Sequence, residues 1–343
     1  MRKMLNVLYV TNPEAYLVKD GENLVVRIQD QEAFRTPIHY LEGIVTFGYM
    51  GASPALLGMC VEKGVTVSFL TASGKHQATV HGSPKGNVLL RRKQYRLADS
   101  DHDSAQIASM FIIGKLANCR TVLRRFISDY GEKVDAAQVV NVSKILARNV
   151  LRVNKEIHLD EVRGIEGESA REYFSVLNHL IVAQKEYFYI QGRNRRPPLD
   201  NFNALLSFLY SLLLHEARAA LETVGLDPYV GFLHRDRPGR VGLALDLMEE
   251  FRPYMADRLA LSLINRRQVT GDGFIKKESG GVVMKDTARK AVIEAWQKRK
   301  REEITHPFLN KKIPAGLLPY AQALLLARHL RGDLDRYPPF VWK

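Results

Sequence analysis

The sequence predicts an α+β protein: a β-rich N-terminal sheet or sandwich domain over residues 1–85, then a larger all-α domain over residues 86–343. Three observations predict it. Apolar residues alternate in short runs up to the Val80 region and recur afterwards at three- and four-residue spacing. A Gly-Ser-Pro-Lys-Gly break at 82–86 falls where the period changes. A length of 343 residues also accommodates two domains.

In the first domain, Leu5 to Thr11, Ala15 to Val18 and Leu24 to Ile28 alternate as strands, and Asp20-Gly21 marks a tight hairpin turn. Ile44 to Phe47 continues the pattern. Ser53 offers an N-cap and Pro54 a first helical residue, opening a helix that Gly64 closes. Val65 to Thr71 and GKHQATVHG read as the closing strands of a small mixed sheet or sandwich. In the second domain the spacing predicts helices over Asn87 to Leu97, Ser104 to Ile127, Ala136 to Lys155 and Gly167 to Gln191. It predicts others over Phe202 to Val224, Leu243 to Asn265, Asp286 to Glu303 and Gly316 to Leu330. Ahead of Asp286, an Asp272-Gly273 turn and a Gly280-Gly281 pair predict an inserted β-hairpin.

Composition excludes several classes. Two cysteines, Cys60 and Cys119, rule out a disulfide framework and a Cys-rich zinc site, and both read as buried free thiols of a reducing compartment. No uninterrupted apolar run approaches the roughly 18 residues that span a bilayer. The basic, then apolar, N-terminus ends at Asn12-Pro13 and reads as a strand rather than a secretory signal. The expectation is a soluble cytoplasmic protein with no membrane partner. Net charge is +13, and it is uneven: residues 1–87 carry eight basic and seven acidic side chains, the rest 42 and 30. A basic second domain suits a polyanion, or is simply a basic, solvated surface.

Some motifs fail. His215-Glu216 opens like a zinc-protease helix, but Ala219 stands where the second histidine belongs. Asp99, Asp101 and Asp103 imitate an EF-hand start, yet Ser104 and Met110 replace the required glycine and glutamate, so an acidic helix-capping run is the better reading. No phosphate-binding G-x-x-x-x-G-K-[ST] loop is present.

Three segments remain. Glu166 lies at a Gly-flanked helix start in GIEGESAREYF, and His234 ends the apolar GLDPYVGFLH. Asp246 and Glu249 stand at i and i+3 in LALDLMEEFRP, on one helix face. An acid inside LALDLM is costly unless paired or bound to a cation. Carboxylates with one imidazole suit Mg²⁺ or Mn²⁺. Salt bridges of Asp246 and Glu249 with Arg252 or Arg240 are the alternative.

On these residues the chain resembles the CRISPR-associated integrase family, the endonuclease-like protein of spacer acquisition, over essentially its whole length. The family's metal glutamate lies in an E-G-x-x-A-x-x-Y-F-like segment, here at Glu166. Its histidine lies in G-F-x-H, here Gly231 to His234, and its last acidic ligand in D-x-x-[DE], here Asp246 to Glu249. The stretch RRPPLDNFNALLSFLYSLL from Arg195 resembles the family's linker into a core helix. Some members carry aspartate where this chain has Glu249. The resemblance implies a dimerising N-terminal domain and a helical catalytic domain. It also implies a small ferredoxin-like adaptation partner bridging two dimers, with room for an additional nuclease partner.

The function so implied is metal-dependent strand transfer with endonuclease activity. The 3′-hydroxyl of a captured double-stranded DNA fragment attacks a phosphodiester of the CRISPR array, with Mg²⁺ or Mn²⁺ on Glu166, His234 and Glu249, and Asp246 in support. The alternatives are a general metal-dependent nuclease and a non-catalytic DNA-binding scaffold. Basic tracts at Arg91, Arg92, Lys93 and Arg96, at Arg193, Arg195 and Arg196, and at Lys298 to Arg301 are the expected DNA track.

Overall fold

The computed structural model describes residues 7–41, 43–47, 50–71, 76–80, 82, 87–131, 136–155, 158–194 and 197–342. The chain divides into two compact units, Met1–Lys85 and Gly86–Lys343. The first holds two sheets and a helix, the second is mostly helical, and the class is α+β.

In the first unit β1 (Val7–Val10), β5 (Gly43–Phe47) and β6 (Thr66–Leu70) run parallel, with β7 (His76–Val80) antiparallel at the edge. A second, antiparallel sheet is formed by β2 (Tyr16–Asp20), β3 (Asn23–Ile28) and β4 (Gln31–Pro37). Parallel neighbours need a crossover, and between β5 and β6 the helix α1 (Pro54–Lys63) provides it. Ser53 Oγ accepts a hydrogen bond from Leu56 N at 3.3 Å, Pro54 starts the first turn, and Gly64 closes the helix at φ 72°. Leu17, Leu24, Ile38, Ile44, Leu56, Cys60 and Val67 form the fully buried core. Strand β4 was not predicted. It is polar and exposed, and the turn before it uses Gln29 and Asp30, both at positive φ, instead of a glycine.

The second unit opens with α2 (Val88–Ala98) and the long α3 (Asp101–Tyr130). Ser100 caps α3 by accepting from Asp103 N, with Asp101 and Asp103 in the first turn, which accounts for the acidic run. Then come α4 (Ala137–Val153), α5 (Leu159–Ser175), α6 (Asn201–Val224), α7 (Gly242–Glu249), α8 (Arg258–Asn265), α9 (Asp286–Arg301) and α10 (Leu318–Arg331). By length and composition α6 could cross a membrane, but 61% of its apolar window is buried inside the unit, as in a core helix. The inserted hairpin is present as β8 (Phe274–Lys276) and β9 (Val282–Met284). A second hairpin, β10 (Glu303–Thr305) with β11 (Lys312–Pro314), was not predicted.

Two helices differ from expectation. The segment expected as one helix from Gly167 to Gln191 instead belongs to α5, which starts at Leu159, followed by a 3₁₀ turn at Leu177–Leu180 and non-helical chain up to Asn194. Side chains take over the backbone bonding there: Asn178 Oδ1 accepts from Ile190 N and Asn265 Oδ1 from Val182 N. The stretch expected as one helix from Leu243 to Asn265 is α7 and α8 joined by a π-helical turn, Arg252–Asp257. Pro253 in that turn brings no amide hydrogen to the helical ladder.

Candidate active site

Helices, loops and the π-turn of the helical unit meet at a cleft open to solvent. From α3 comes Lys115, from α5 Glu166, from the loop after α6 His234, and from α7 and the π-turn Glu249, Arg252 and Asp257. Glu166 stands in the middle of α5, not at a helix start. The flanking Gly164 and Gly167 are ordinary helical residues with open space where a Cβ would lie.

The loop carrying His234 is pinned to the start of α7. Gly242 N donates to Tyr229 O at 3.0 Å and Ala244 N to Pro228 O at 3.2 Å. The crossing is too tight for side chains: a Cβ on Gly231 would lie 2.7 Å from the Gly242 carbonyl carbon and 2.8 Å from Asp246 Oδ2. The glycine of the G-F-x-H segment is therefore required by packing.

Beneath that crossing Asp246 is fully buried and receives four hydrogen bonds from the loop. Phe232 N and Leu233 N donate to Oδ2 at 2.6 and 2.9 Å, and His234 N donates to Oδ1 at 3.1 Å. The His234 Nδ1 lies 2.5 Å from the same Oδ1. A carboxylate in that position holds the proton on Nδ1 and presents Nε2 as the acceptor. Asp246 thus stands behind the histidine and does not line the cleft, whereas Glu249 does. The ion-pair partner of Asp246 is the His234 imidazole. The three amides and the imidazole satisfy it.

Glu249 is buried between two cations, with Oε1 3.0 Å from Arg252 and Oε2 2.8 Å from Lys115. Burial opposes its charge, but Arg252, Lys115 and His234 hold the carboxyl well below the usual range. Lys115 also reaches Glu166 Oε1 at 2.5 Å. Burial disfavours its ammonium, and Glu249 and Glu166 more than compensate, raising its pKa above the ordinary value. Among the described residues no three His, Cys, Asp or Glu side chains stand close enough to form a ready metal cluster. Glu166 and Glu249 share a lysine.

One wall adds Tyr210 and Asp257, which the sequence reading did not single out. Tyr210 donates to Asp257 at 2.7 Å, and the guanidiniums of Arg252 and Arg193 lie over the Tyr210 ring at 4.6 and 5.3 Å. Burial pushes the Asp257 carboxyl up to about 6, although Tyr210 and Arg252 favour its charged form. Burial also raises the Cys119 thiol and the Tyr173 and Tyr210 phenols well above their ordinary values, so none is poised as a nucleophile. Lys115 had a legible signal, a lone charge within FIIGKLANC.

The basic tracts fare unequally. Arg92, Lys93 and Arg96 are exposed on α2, and Arg193 lines the cleft. Arg195 and Arg196 lie outside the described residues. In the last tract Arg299 and Lys300 are buried, paired with Glu302 at 2.9 Å and Glu216 at 2.5 Å, which corrects their place in a DNA track.

The family model described as CRISPR associated protein Cas1 matches residues 8–298. Over 343 residues the chain is 51% identical to CRISPR-associated endonuclease Cas1 1 of Chlorobaculum tepidum, with 100% of both chains covered. In fold it is similar to a casposase bound to integration product, with TM-score 0.85 and 22% identity over 99% of this chain and 95% of that one. It is also similar to a chain of a Cas6-RT-Cas1–Cas2 complex, with TM-score 0.83 and 22% identity over 100% of this chain and 36% of that one. The chain belongs to the Cas1 family of CRISPR-associated proteins.

Proposed function

We propose that this chain is the metal-dependent DNA integrase of CRISPR spacer acquisition. The observation that carries the reading is the convergence of Glu166 and Glu249, from two helices, on one cationic nitrogen in an open cleft beside a carboxylate-backed histidine. The donor chemistry fits a hard divalent ion: two carboxylates and an imidazole whose other nitrogen is bonded to a carboxylate. Glu166, His234 and Glu249 would hold Mg²⁺ or Mn²⁺. Such an ion supplies Lewis-acid polarisation of a phosphoryl oxygen and eases ionisation of an attacking hydroxyl.

The chain's own groups do the rest. Asp246 fixes the His234 tautomer, and Arg252 and Arg193 give the cleft a cationic wall for a phosphodiester. The 3′-oxygen of a captured fragment bonds to phosphorus, and the array strand's 3′-oxygen leaves and takes a proton. The Cys119 thiol and the Tyr173 and Tyr210 phenols of the cleft are held protonated by burial, so the transfer is direct and passes through no covalent protein–DNA species. The endonuclease name of the Chlorobaculum relative and the integration product of the casposase support this chemistry. The Cas6-RT-Cas1–Cas2 complex that holds the other neighbour supports a small Cas partner, which we assign as ferredoxin-like. The near-neutral first unit is the natural homodimer contact, because two strongly basic units repel.

The test combines a short duplex, a supercoiled array plasmid, Mn²⁺ and the partner. Glu166→Ala and His234→Ala should abolish strand transfer and leave salt-sensitive DNA binding nearly intact, because phosphate contacts elsewhere supply affinity. DNA binding that falls as steeply as activity would make these side chains structural. Cutting without strand transfer, and no disintegration of a branched substrate, would favour a plain nuclease.

A further inference from the structure

Lys115 has no part in the chemistry above, yet it occupies the centre of the site. Its ammonium lies 2.5 Å from Glu166 Oε1 and 2.8 Å from Glu249 Oε2, and its side chain is only 10% exposed. A lysine emerging from the buried middle of α3 needs both acids to be tolerated there. The acids need it equally: Arg252 reaches only the other oxygen of Glu249, at 3.0 Å.

We propose that Lys115 is an exchangeable counter-cation. It holds Glu166 and Glu249 together while the site is free of metal, and a divalent ion binds by displacing its ammonium from both carboxylates into the cleft. The proposal rests on the metal reading of Glu166, His234 and Glu249. Its logic is competition for the same oxygens. An ammonium and a divalent ion cannot both sit between two carboxylates, since like charges a few ångströms apart in a buried site repel strongly.

The two neighbouring cations differ in how freely they can leave. Arg252 is stacked on Tyr210 at 4.6 Å and stays with Glu249 Oε1. Lys115 ends in a point charge on a flexible four-carbon stem, so its nitrogen can move while α3 stays in place. It also lines the open cleft, so the displaced ammonium remains there, facing an anionic substrate.

The direct test is Mn²⁺ titration calorimetry with thermal melts, on the wild type and Lys115→Met. Removing the competitor should tighten Mn²⁺ binding about tenfold or more, the factor expected from one charge-assisted contact. The metal-free Tm should drop below wild type, and Mn²⁺ should restore it. An unchanged or weaker Mn²⁺ affinity overturns the proposal. Because Lys115→Met takes from Glu166 its cation and leaves Glu249 with Arg252 alone, the variant can fail to fold, and a second measurement uses the wild type alone. Amine acetylation read by mass spectrometry should find Lys115 protected without Mn²⁺ and labelled with it, while exposed Lys185 and Lys298 do not change. Labelling of Lys115 that ignores saturating Mn²⁺ also overturns it. A wild-type protein that binds no Mn²⁺ would instead sink the metal reading itself.

Discussion

Asp246→Asn is a sharp test of how the site is held together. The carboxylate receives four donors, two on each oxygen: Phe232 N and Leu233 N on Oδ2, His234 N and Nδ1 on Oδ1. An asparagine keeps one oxygen and puts an NH₂ in place of the other, so two donors face a donor whichever way the amide turns. Losing two hydrogen bonds to a charged group, at about 1.5–3 kcal/mol each, costs about 3–6 kcal/mol of folding stability. The protein can recover one of them by moving the imidazole proton from Nδ1 to Nε2, which blocks the nitrogen that should face a ligand. Stability is then lost by only about 1.5–3 kcal/mol, and strand transfer falls roughly 10- to 100-fold. Urea unfolding and long-range ¹⁵N correlation of His234 separate the two outcomes. A variant that unfolds within about 0.5 kcal/mol of wild type and keeps its proton on Nδ1 would refute the reasoning.

Glu249→Gln should weaken Mn²⁺ binding more than Asp246→Asn, since Glu249 lines the cleft and Asp246 lies behind His234; anomalous scattering from a Mn²⁺-soaked crystal would show which carboxylate touches the ion. Gly231→Ala should push the His234 loop off α7, because its Cβ would lie 2.7 Å from the Gly242 carbonyl carbon; overpacking of this kind costs about 1–3 kcal/mol in chemical denaturation. Burial pushes the Glu250 carboxyl from 4.5 up to about 8, against hydrogen bonds from Tyr337, Phe340 N and Gln322. The folded state keeps that proton and the unfolded state releases it, so stability falls as pH rises from 4.5 towards about 8, by at most about 1.4 kcal/mol per pH unit. Melts of Glu250→Gln should show a flatter slope over that window; a parallel slope would count against it. Residues 86–343 alone should be monomeric by light scattering, and a stable dimer would place the contact outside the first unit.

Much of this was legible because it rests on local chemistry. The change of apolar period marked the second unit, and Ser53, Pro54 and Gly64 marked both ends of α1. Asp246 was legible as a buried acid with special partners because it sits where an apolar helix should not hold a charge. What failed depended on distant partners. The chain after Leu180 carries apolar residues at spacings that suit a helix, yet Asn178, in the 3₁₀ turn just before it, and Asn265, from the end of α8, take its amides. Strand β4 hid behind a turn with no glycine. Arg299 and Lys300 read as a solvated basic run until Glu302 and Glu216 were found beside them.

The charges that line the cleft point to one more consequence. Glu166, Glu249 and Asp257 face Lys115, Arg193 and Arg252, so the described lining is near balance before any ion enters. A basic protein with a balanced cleft binds a DNA backbone through its exposed surface first, and the cleft adds little. If a divalent ion replaces Lys115 between the acids and the ammonium stays in the cleft, the local charge rises by two. A phosphodiester is then drawn to the place where it would react. DNA affinity measured at fixed ionic strength should therefore contain a small metal-dependent part that vanishes in Glu166→Ala, on top of a larger salt-dependent part that does not. A metal-dependent part of the same size in both proteins would mean that the ion acts on the DNA elsewhere, and the cleft would lose its claim to the scissile phosphate.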